Sequence, residues 1–174
     1  MEFQNNQVDT FTIPKSEDVQ FEKLDPAYKK VGVYITTIIF GIILMAYLIV
    51  GFFVDVLYQF PWILLVVVLW SVLTGLSILL AVKGYEYEGF AVREKDILFK
   101  SGIFFRSTLI IPFNRVQHCE IEHGPIDRMF GLASLSLFTA GGSASDLSIP
   151  GLTQDKAAAL KNFITNRVAA DEEE

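Results

Sequence analysis

Two long apolar runs dominate the hydrophobic pattern of the chain. They cover residues 31–54 and 60–82, and no Lys or Arg occurs between Lys30 and Lys83. A helix rises ~1.5 Å per residue, so each run is long enough to cross the ~30 Å hydrocarbon core of a bilayer. The pattern therefore predicts a transmembrane hairpin over residues 31–82, with helices over 31–54 and 60–82.

The connection between the two runs is short and contains Asp55 and Pro61. Proline suits the first turn of a helix, where its missing N–H is not needed, and a short connection makes the two helices antiparallel neighbours. Cations flank the hairpin on its outer sides and are missing from the connection. By the positive-inside rule, both termini are expected in the cytoplasm.

After residue 82 the pattern changes to short runs that alternate with a period of two. Such alternation is typical of strands with one buried face. Strands are expected over residues 85–93, 97–100, 108–112, 116–122, 132–139 and 147–150. In the fifth of these, Ala133, Leu135 and Leu137 would face the core while Ser134 and Ser136 face solvent.

One amphipathic helix is predicted after the strands, over residues 153–168. Thr153 is a suitable N-cap, and the apolar positions Ala157, Leu160, Phe163, Ile164 and Val168 fall on one side. The chain is thus divided into a cytoplasmic N-terminal segment over 1–30, the hairpin, a domain over 83–170 and an acidic tail over 171–174. Residues 1–14 are interpreted as a mobile tail, and 16–30 either as an exposed linker or as a segment lying on the membrane surface or the domain.

Consecutive small strands closed by one C-terminal helix are the element order of a pleckstrin-homology-like (PH-like) barrel or sandwich. The expected fold class is therefore a membrane α-helical hairpin plus an α+β cytoplasmic domain. Several segments also resemble the YdbS-like family of bacterial PH-like membrane proteins. They are residues 24–28 (LDPAY), 111–117 (IPFNRVQ), 124–128 (GPIDR), 131–133 (GLA) and 139–141 (TAG).

This resemblance covers nearly the whole chain and implies a fold, a topology and a location in the bacterial cell (inner) membrane. Members of the family are often described beside a larger relative with several such domains, which implies a membrane-protein partner. One departure concerns charge. Typical members are basic around the second and third strands, whereas here acidic residues offset Arg and Lys.

The charge balance and the cysteine content narrow the possible roles. The formal net charge is −6, which disfavours a nucleic-acid partner. Cys119 is the single cysteine, so an internal disulfide is excluded and a reducing compartment fits.

Two motifs with potential chemistry are better explained as structure. In residues 118–123 (HCEIEH), a strand puts only His118, Glu120 and Glu122 on one face, so a four-ligand metal site would need a bulge or a second segment. Residues 141–145 (GGSAS) miss the G-x-S-x-G nucleophile elbow at its last position and are read as a turn. The chain is therefore expected to be no enzyme and to use no metal or cofactor.

Basic residues of the domain are the candidate contacts to anionic lipid headgroups or to a partner. Each cation near an anionic membrane surface contributes ~1 kcal/mol. An ordinary solvated surface carries as many cations, so both interpretations stay open. The candidates are Arg93, Lys95, Lys100, Arg106, Arg115 and Arg128.

Small residues at a spacing of four suggest how the hairpin closes. Thr37 and Gly41 form such a pair in the first run, and Ser71 and Gly75 form one in the second. Close backbone approach at small residues stabilises helix pairs in lipid. The two pairs are therefore predicted to pack against each other, or to form an interface with another chain.

The function expected from these observations is that of a membrane-anchored interaction or scaffold module. It would act with another membrane protein or as a homo-oligomer, in envelope stress or peptide resistance. The alternatives are a lipid-headgroup binder and a small transport or channel subunit.

Overall fold

The two apolar runs form a helical hairpin, α1 (Tyr28–Phe53) and α2 (Trp62–Tyr87). The computed structural model describes residues 19–54, 59–60, 62–140 and 146–172. The predicted mobile tail and the GGSAS turn lie outside these ranges. The apolar windows of α1 and α2 have mean hydropathies of 2.5 and 2.7 and are 0% buried within the molecule. Because a soluble core helix would be covered, this exposure indicates that lipid covers both helices.

Both helices extend beyond the predicted runs on the side of the domain. α1 begins at Tyr28, directly after a turn in which the Asp25 side chain accepts a hydrogen bond of 2.8 Å from the Ala27 N–H. α2 continues to Tyr87, where a strand was predicted from residue 85. That prediction is wrong because Tyr85 is buried, and its hydroxyl donates a 2.7 Å hydrogen bond to the Leu24 carbonyl.

An aromatic pair occupies the middle of the hairpin contact. The Trp70 indole donates a 3.2 Å hydrogen bond to the Phe40 carbonyl, and the two rings meet edge to face at 6.5 Å. Partly buried positions recur at spacings of three and four on both helices, as in a coiled-coil seam. They are Val33, Thr36, Phe40, Leu44 and Tyr47 on α1, and Ile63, Val66, Trp70, Thr74 and Ser77 on α2.

The domain consists of two three-stranded antiparallel sheets, a short helix and a C-terminal helix. The first sheet has the order β1 (Gly89–Val92), β2 (Asp96–Ser101), β3 (Ser107–Pro112). The second has the order β4 (Val116–Glu122), β5 (Leu132–Thr139), β6 (Leu147–Thr153). A 3-10 turn, Phe113–Arg115, links the sheets, α3 (Pro125–Met129) lies between β4 and β5, and α4 (Gln154–Glu172) follows β6.

This arrangement confirms the predicted fold class, a membrane hairpin followed by a PH-like sandwich with a C-terminal helix. The Thr153 hydroxyl accepts a 3.4 Å hydrogen bond from the Lys156 N–H, so it caps α4 as predicted. α4 runs to Glu172, so the start of the predicted acidic tail is helical. Of the predicted inner face, Ala157 and Ile164 are buried, whereas Phe163 stays partly exposed beside Phe113.

One predicted solvent-facing residue of β5 is buried instead. Ser136 has almost no exposed surface, and its hydroxyl lies 3.1 Å from a Glu122 carboxylate oxygen and 3.3 Å from the Ser148 hydroxyl. A buried hydroxyl needs such partners because an unpaired polar group is costly. The alternation along β5 was predicted correctly. Ser136 can nevertheless be buried because its hydroxyl finds partners on the neighbouring strands β4 and β6.

The N-terminal segment joins the hairpin to the domain. Glu22 forms an isolated antiparallel bridge with Phe90 of β1, and Leu24 belongs to the core of the domain. The Asp25 N–H donates a 2.8 Å hydrogen bond to the Gly151 carbonyl of β6. Of the readings left open for residues 16–30, the one that places this segment on the domain is therefore correct for its described part.

Candidate interaction surfaces

The structure places the six predicted basic residues in three separate locations. Arg93, Lys95 and Arg115 lie near the end of β2 that is remote from α2, where the Phe113 N–H donates a 2.9 Å hydrogen bond to the Lys95 carbonyl. Arg93 is already paired with Asp96, at 2.6 and 2.5 Å. This hydrogen bonding raises the pKa of Arg93, so the guanidinium stays charged. The Asp96 carboxylate offsets part of that charge.

The second location is a cleft beside the end of α2. Lys100 lies 4.5 Å above the Phe21 ring, and the Arg106 guanidinium lies 5.4 Å above the Tyr87 ring. Together with Glu86 and several hydroxyl groups, these residues enclose a cavity of about 550 Å³. The hydroxyl groups belong to Ser101, Ser107 and Thr108. Two cations and three hydroxyls can bind a small anionic group such as a phosphate.

Arg128, the last candidate, lies on α3 against the other helix of the hairpin. It is exposed, and nearby Phe130 meets Tyr34 of α1 edge to face at 5.4 Å. The six cations therefore do not form one basic surface. Sequence reasoning treated them as one set because it could not tell which turns of the two sheets lie together.

In the part of the chain that the structure describes, β3 is an edge strand without a strand partner on its outer side. The N-terminal segment bridges β1 at Phe90 and donates a hydrogen bond to β6 at Gly151, while α4 packs beside β4. Within the described part of the chain, β3 pairs only with β2. Leu109 and Ile110 are both exposed on it.

The backbone direction at this edge follows from the register. Phe90 exchanges 2.7 and 3.0 Å hydrogen bonds with the N-terminal segment, so its polar groups point away from β2. Phe90 pairs with Phe99, and Phe99 pairs with Leu109. Because hydrogen-bonded and non-hydrogen-bonded pairs alternate in antiparallel sheets, Leu109 bonds to β2, and the polar groups of Thr108 and Ile110 point outward.

The predicted helix-packing residues do not lie in the hairpin contact. A Cβ added to Gly41 or Gly75 would meet no atom within 4 Å. The hydroxyls of Thr37 and Ser71 donate 2.8 Å hydrogen bonds to carbonyls of their own helices. Within the described hairpin the prediction is therefore wrong, because the seam runs one position to the side, through Thr36, Phe40, Trp70 and Thr74.

The close approach of the two helices occurs nearer the domain. A Cβ added to Gly32 would lie 3.5 Å from the Ala81 Cβ. The spacing of four does place the small residues of each helix on one face. Successive helical positions differ by about 100°, however, so the neighbouring positions that form the contact lie on another face. The large side chains of Phe40 and Trp70 decide which face meets the partner helix.

The potential metal ligands on β4 have structural surroundings. His118 stacks on Phe138 at 4.3 Å, and the His123 Nδ1 lies 3.2 Å from the Leu132 carbonyl. Cys119 faces the core, and burial raises the pKa of its thiol, although Lys161 opposes part of this effect. Among the described residues no group of three His, Cys, Asp or Glu side chains is close enough to hold a metal ion.

Glu88 links α2 to β1, and one of its carboxylate oxygens lies in unfavourable surroundings. Its Oε2 is buried and has no hydrogen-bond partner within the described structure. Burial disfavours the charged form and raises the pKa of this carboxyl. Its position between helix and strand gave no sequence signal, since the residue falls in a run of alternating Tyr and Glu.

The β2–β3 loop is an apolar surface that sequence reasoning missed. Phe104 and Phe105 in this loop are 78% and 93% exposed. The signal was three consecutive large apolar residues, Ile103 to Phe105, directly after Gly102. The sequence pattern predicted only a connection between strands at these residues, and it did not predict their exposure.

Comparison with known proteins places these features in a family. The model of the bacterial PH domain family matches residues 31–168, which include most of the hairpin and nearly the whole domain. The transmembrane protein YdbS of Bacillus subtilis (strain 168) is 36% identical over 92 residues, covering 52% of this chain and 54% of YdbS. The aligned region thus spans about half of that relative. No solved structure matches the chain.

The family match agrees with the two stacked sheets, the C-terminal helix and the two exposed apolar helices. It extends through the hairpin as well as the domain, so the two parts belong to one family unit. The chain is a YdbS-like membrane protein that belongs to the bacterial PH domain family.

Proposed function

We propose that the protein is a membrane-anchored interaction module whose β3 edge receives a strand from a second membrane protein. The proposal rests on the open edge of β3, where the polar groups of Thr108 and Ile110 point outward. Strand addition to such an edge supplies main-chain hydrogen bonds and uses neighbouring side chains for specificity. Leu109 and Ile110 supply exposed apolar contacts for both faces of an added strand.

The hairpin favours a partner in the same membrane. It holds the domain beside the bilayer, so a second membrane protein is confined to the same surface and its effective concentration is high. A second PH-like domain, on a larger relative or on a copy of this chain, offers a matching edge strand. The expected location is the cytoplasmic face of a bacterial cell membrane, and the proposal assigns no catalytic step.

The test is site-specific photo-crosslinking in intact cells that express the full chain. A photoreactive residue replaces Thr108, and the crosslinked membrane proteins are identified. The expected product is an adduct with a protein that carries a PH-like domain. Ile110→Pro should reduce the adduct at least tenfold because it removes an outward N–H but no bond to β2.

Ile110→Val is the matched control, since it keeps the N–H and the strand propensity. It should leave the adduct unchanged. An adduct that persists in Ile110→Pro, or a probe that reacts only with lipid, would contradict strand addition at β3.

A second candidate function, the binding of an anionic lipid headgroup, is favoured by the cleft of Lys100 and Arg106. The cleft lies at the end of α2, where headgroups surround the helix. If this function is correct, Lys100→Gln should weaken the retention of phosphatidylglycerol by the purified full chain, whereas Lys95→Gln at the remote turn should not.

A further inference from the structure

The β2–β3 hairpin turn closes tightly at Gly102. Ser101 pairs with Ser107, so residues 102–106 form the loop. Gly102 has a φ of 102°, and a Cβ at this position would lie 1.9 Å from the Phe105 carbonyl oxygen. Only glycine fits this conformation. The turn therefore sets the backbone path of the loop that carries Phe104 and Phe105.

Both ends of the loop contact the last turn of α2. The Ile103 side chain lies 3.8 Å from the position of a Cβ on Gly84, and the Arg106 guanidinium lies 5.4 Å above the Tyr87 ring. The apolar run of α2 ends just before Lys83. The contacted turn, residues 84–87, therefore lies ~3–8 Å beyond the end of the apolar run, at the depth of the lipid headgroups.

The exposed apolar side chains of the domain are concentrated at this level. Among its described residues, only Phe104, Phe105 and Met129 are large apolar residues more than 70% exposed, and Met129 is at 75%. Met129 precedes Phe130, whose ring packs on Tyr34 at the start of α1. Gly32, two residues before Tyr34, meets Ala81, three residues before Gly84. The contact of Phe130 with Tyr34 and the contact of the loop with Gly84 therefore both lie within ~5 Å of the level at which Gly32 meets Ala81.

We propose that Phe104 and Phe105 enter the lipid leaflet that surrounds the Lys30 and Lys83 end of the hairpin. Aromatic side chains are stable at the boundary between headgroups and acyl chains, and adjacent cations favour anionic lipids. Arg106 and Lys83 supply such cations next to the loop. Met129 makes a second contact on the α1 side, so the domain is fixed on the bilayer by its loop and α3 as well as by the hairpin. This inference goes beyond the proposed function and does not depend on a protein partner.

The test measures the depth of the loop by spin labelling. The full chain carries Cys119→Ala and one new labelled cysteine, and single molecules are placed in nanodiscs of phosphatidylethanolamine and phosphatidylglycerol. The label replaces Phe105 in one variant and Phe104 in another. Thr165, which is exposed on α4, is the aqueous control position, and Leu79, which is exposed on α2, is the lipid standard.

Labels at the two loop positions should be relaxed by oxygen, which concentrates in lipid. Relaxation by a water-soluble nickel complex should be at least fivefold weaker than at Thr165 and closer to the value at Leu79. Variants are compared only if they melt at the temperature of the unlabelled chain. Equal nickel accessibility at both loop positions and Thr165 would overturn the proposal. Protection from nickel and oxygen together would also overturn it, because it would mean that protein covers the loop.

Discussion

Gly151 is a point of close approach between the hairpin and the domain. It lies within β6 with a φ of 62°, and an added Cβ would lie 2.5 Å from Cγ of the Tyr28 ring. Two independent constraints therefore require glycine here, a left-handed backbone and a packed aromatic ring. The resembling segment LDPAY ends in this tyrosine, so part of its role is to join α1 to β6.

Gly151→Ala should destabilise the full chain more than Gly131→Ala. Gly131 also has a positive φ, of 67°, but a Cβ there would meet nothing within 4 Å. Both substitutions impose about 1–2 kcal/mol of backbone strain. Only Gly151→Ala adds an overlap with Tyr28, which costs about 1–3 kcal/mol more. Thermal unfolding in detergent micelles measures the difference, and equal melting temperatures would mean that the Tyr28 contact is not formed.

Glu88→Gln should stabilise the protein at pH 7. Burial raises the folded-state pKa of Glu88 above its ordinary value of 4.5, so folding favours the protonated form. Below pH 4.5 the group is protonated in both states and imposes no penalty, and stability falls as the pH rises through the folded-state pKa. Removing the charge should therefore raise the melting temperature at pH 7 and leave it nearly unchanged at pH 4.

A gain from Glu88→Gln that is equal at both pH values would show that packing, and not ionisation, causes it.

At the scale of elements, the hairpin shows how large side chains override a small-residue pattern. Trp70 donates to a carbonyl of α1 and packs on Phe40, so the two helices meet along the seam that contains both residues. In lipid, helix association depends on packing and on such hydrogen bonds. Gly41 and Gly75 are left on faces that another chain or lipid can contact.

Cysteines at Gly32 and Ala81 should form a disulfide within one chain. The Cβ separation of 3.5 Å lies at the lower end of the range of about 3.5–4.5 Å that disulfides require. Cysteines at Thr37 and Gly75 should not crosslink within a chain, because Gly75 faces away from α1. Oxidation in membranes followed by gel electrophoresis distinguishes the pairs. A crosslink within one chain at the second pair alone would restore the small-residue ridge as the hairpin contact.

At the scale of the whole molecule, the hairpin fixes the domain on one side of the membrane. Lys23, Lys29 and Lys30 precede the first apolar run, Lys83 follows the second, and the connection carries no cation. The domain packs on the ends of both helices through Tyr85 and Tyr34. Because the chain enters and leaves the membrane on the same side, the N-terminal segment can reach β1 and β6.

Reporter enzymes that work only in the cytoplasm should be active when fused to Met1 or to Glu174, because the positive-inside rule places the flanking lysines on that side. A cysteine at Gln59 should react with an impermeant thiol reagent added outside intact cells. Buried Cys119, with its raised thiol pKa, should not contribute background labelling. Labelling at Ser16 with protection at Gln59 would mean that the orientation is inverted.

The amino-acid sequence by itself determined the elements whose signals are local. Two apolar runs without cations specified two membrane helices, because a helix satisfies its own backbone in lipid and both runs have the length of a spanning helix. Strands β4 and β5 were predicted to the residue, since alternating side chains mark one face. The order of short strands and a final helix indicated the PH-like fold.

Only the tertiary structure decided what depends on contacts between distant residues. Tyr85 keeps α2 helical beyond the apolar run because its hydroxyl reaches Leu24, 61 positions earlier. β6 extends to Thr153 because Gly151 pairs with the N-terminal segment and accommodates Tyr28. The grouping of Lys100 with Arg106, the open edge of β3 and the position of the β2–β3 loop beside α2 also required the packed chain. A local pattern predicts which residues form an element, but the neighbours of that element are set by packing across the whole molecule.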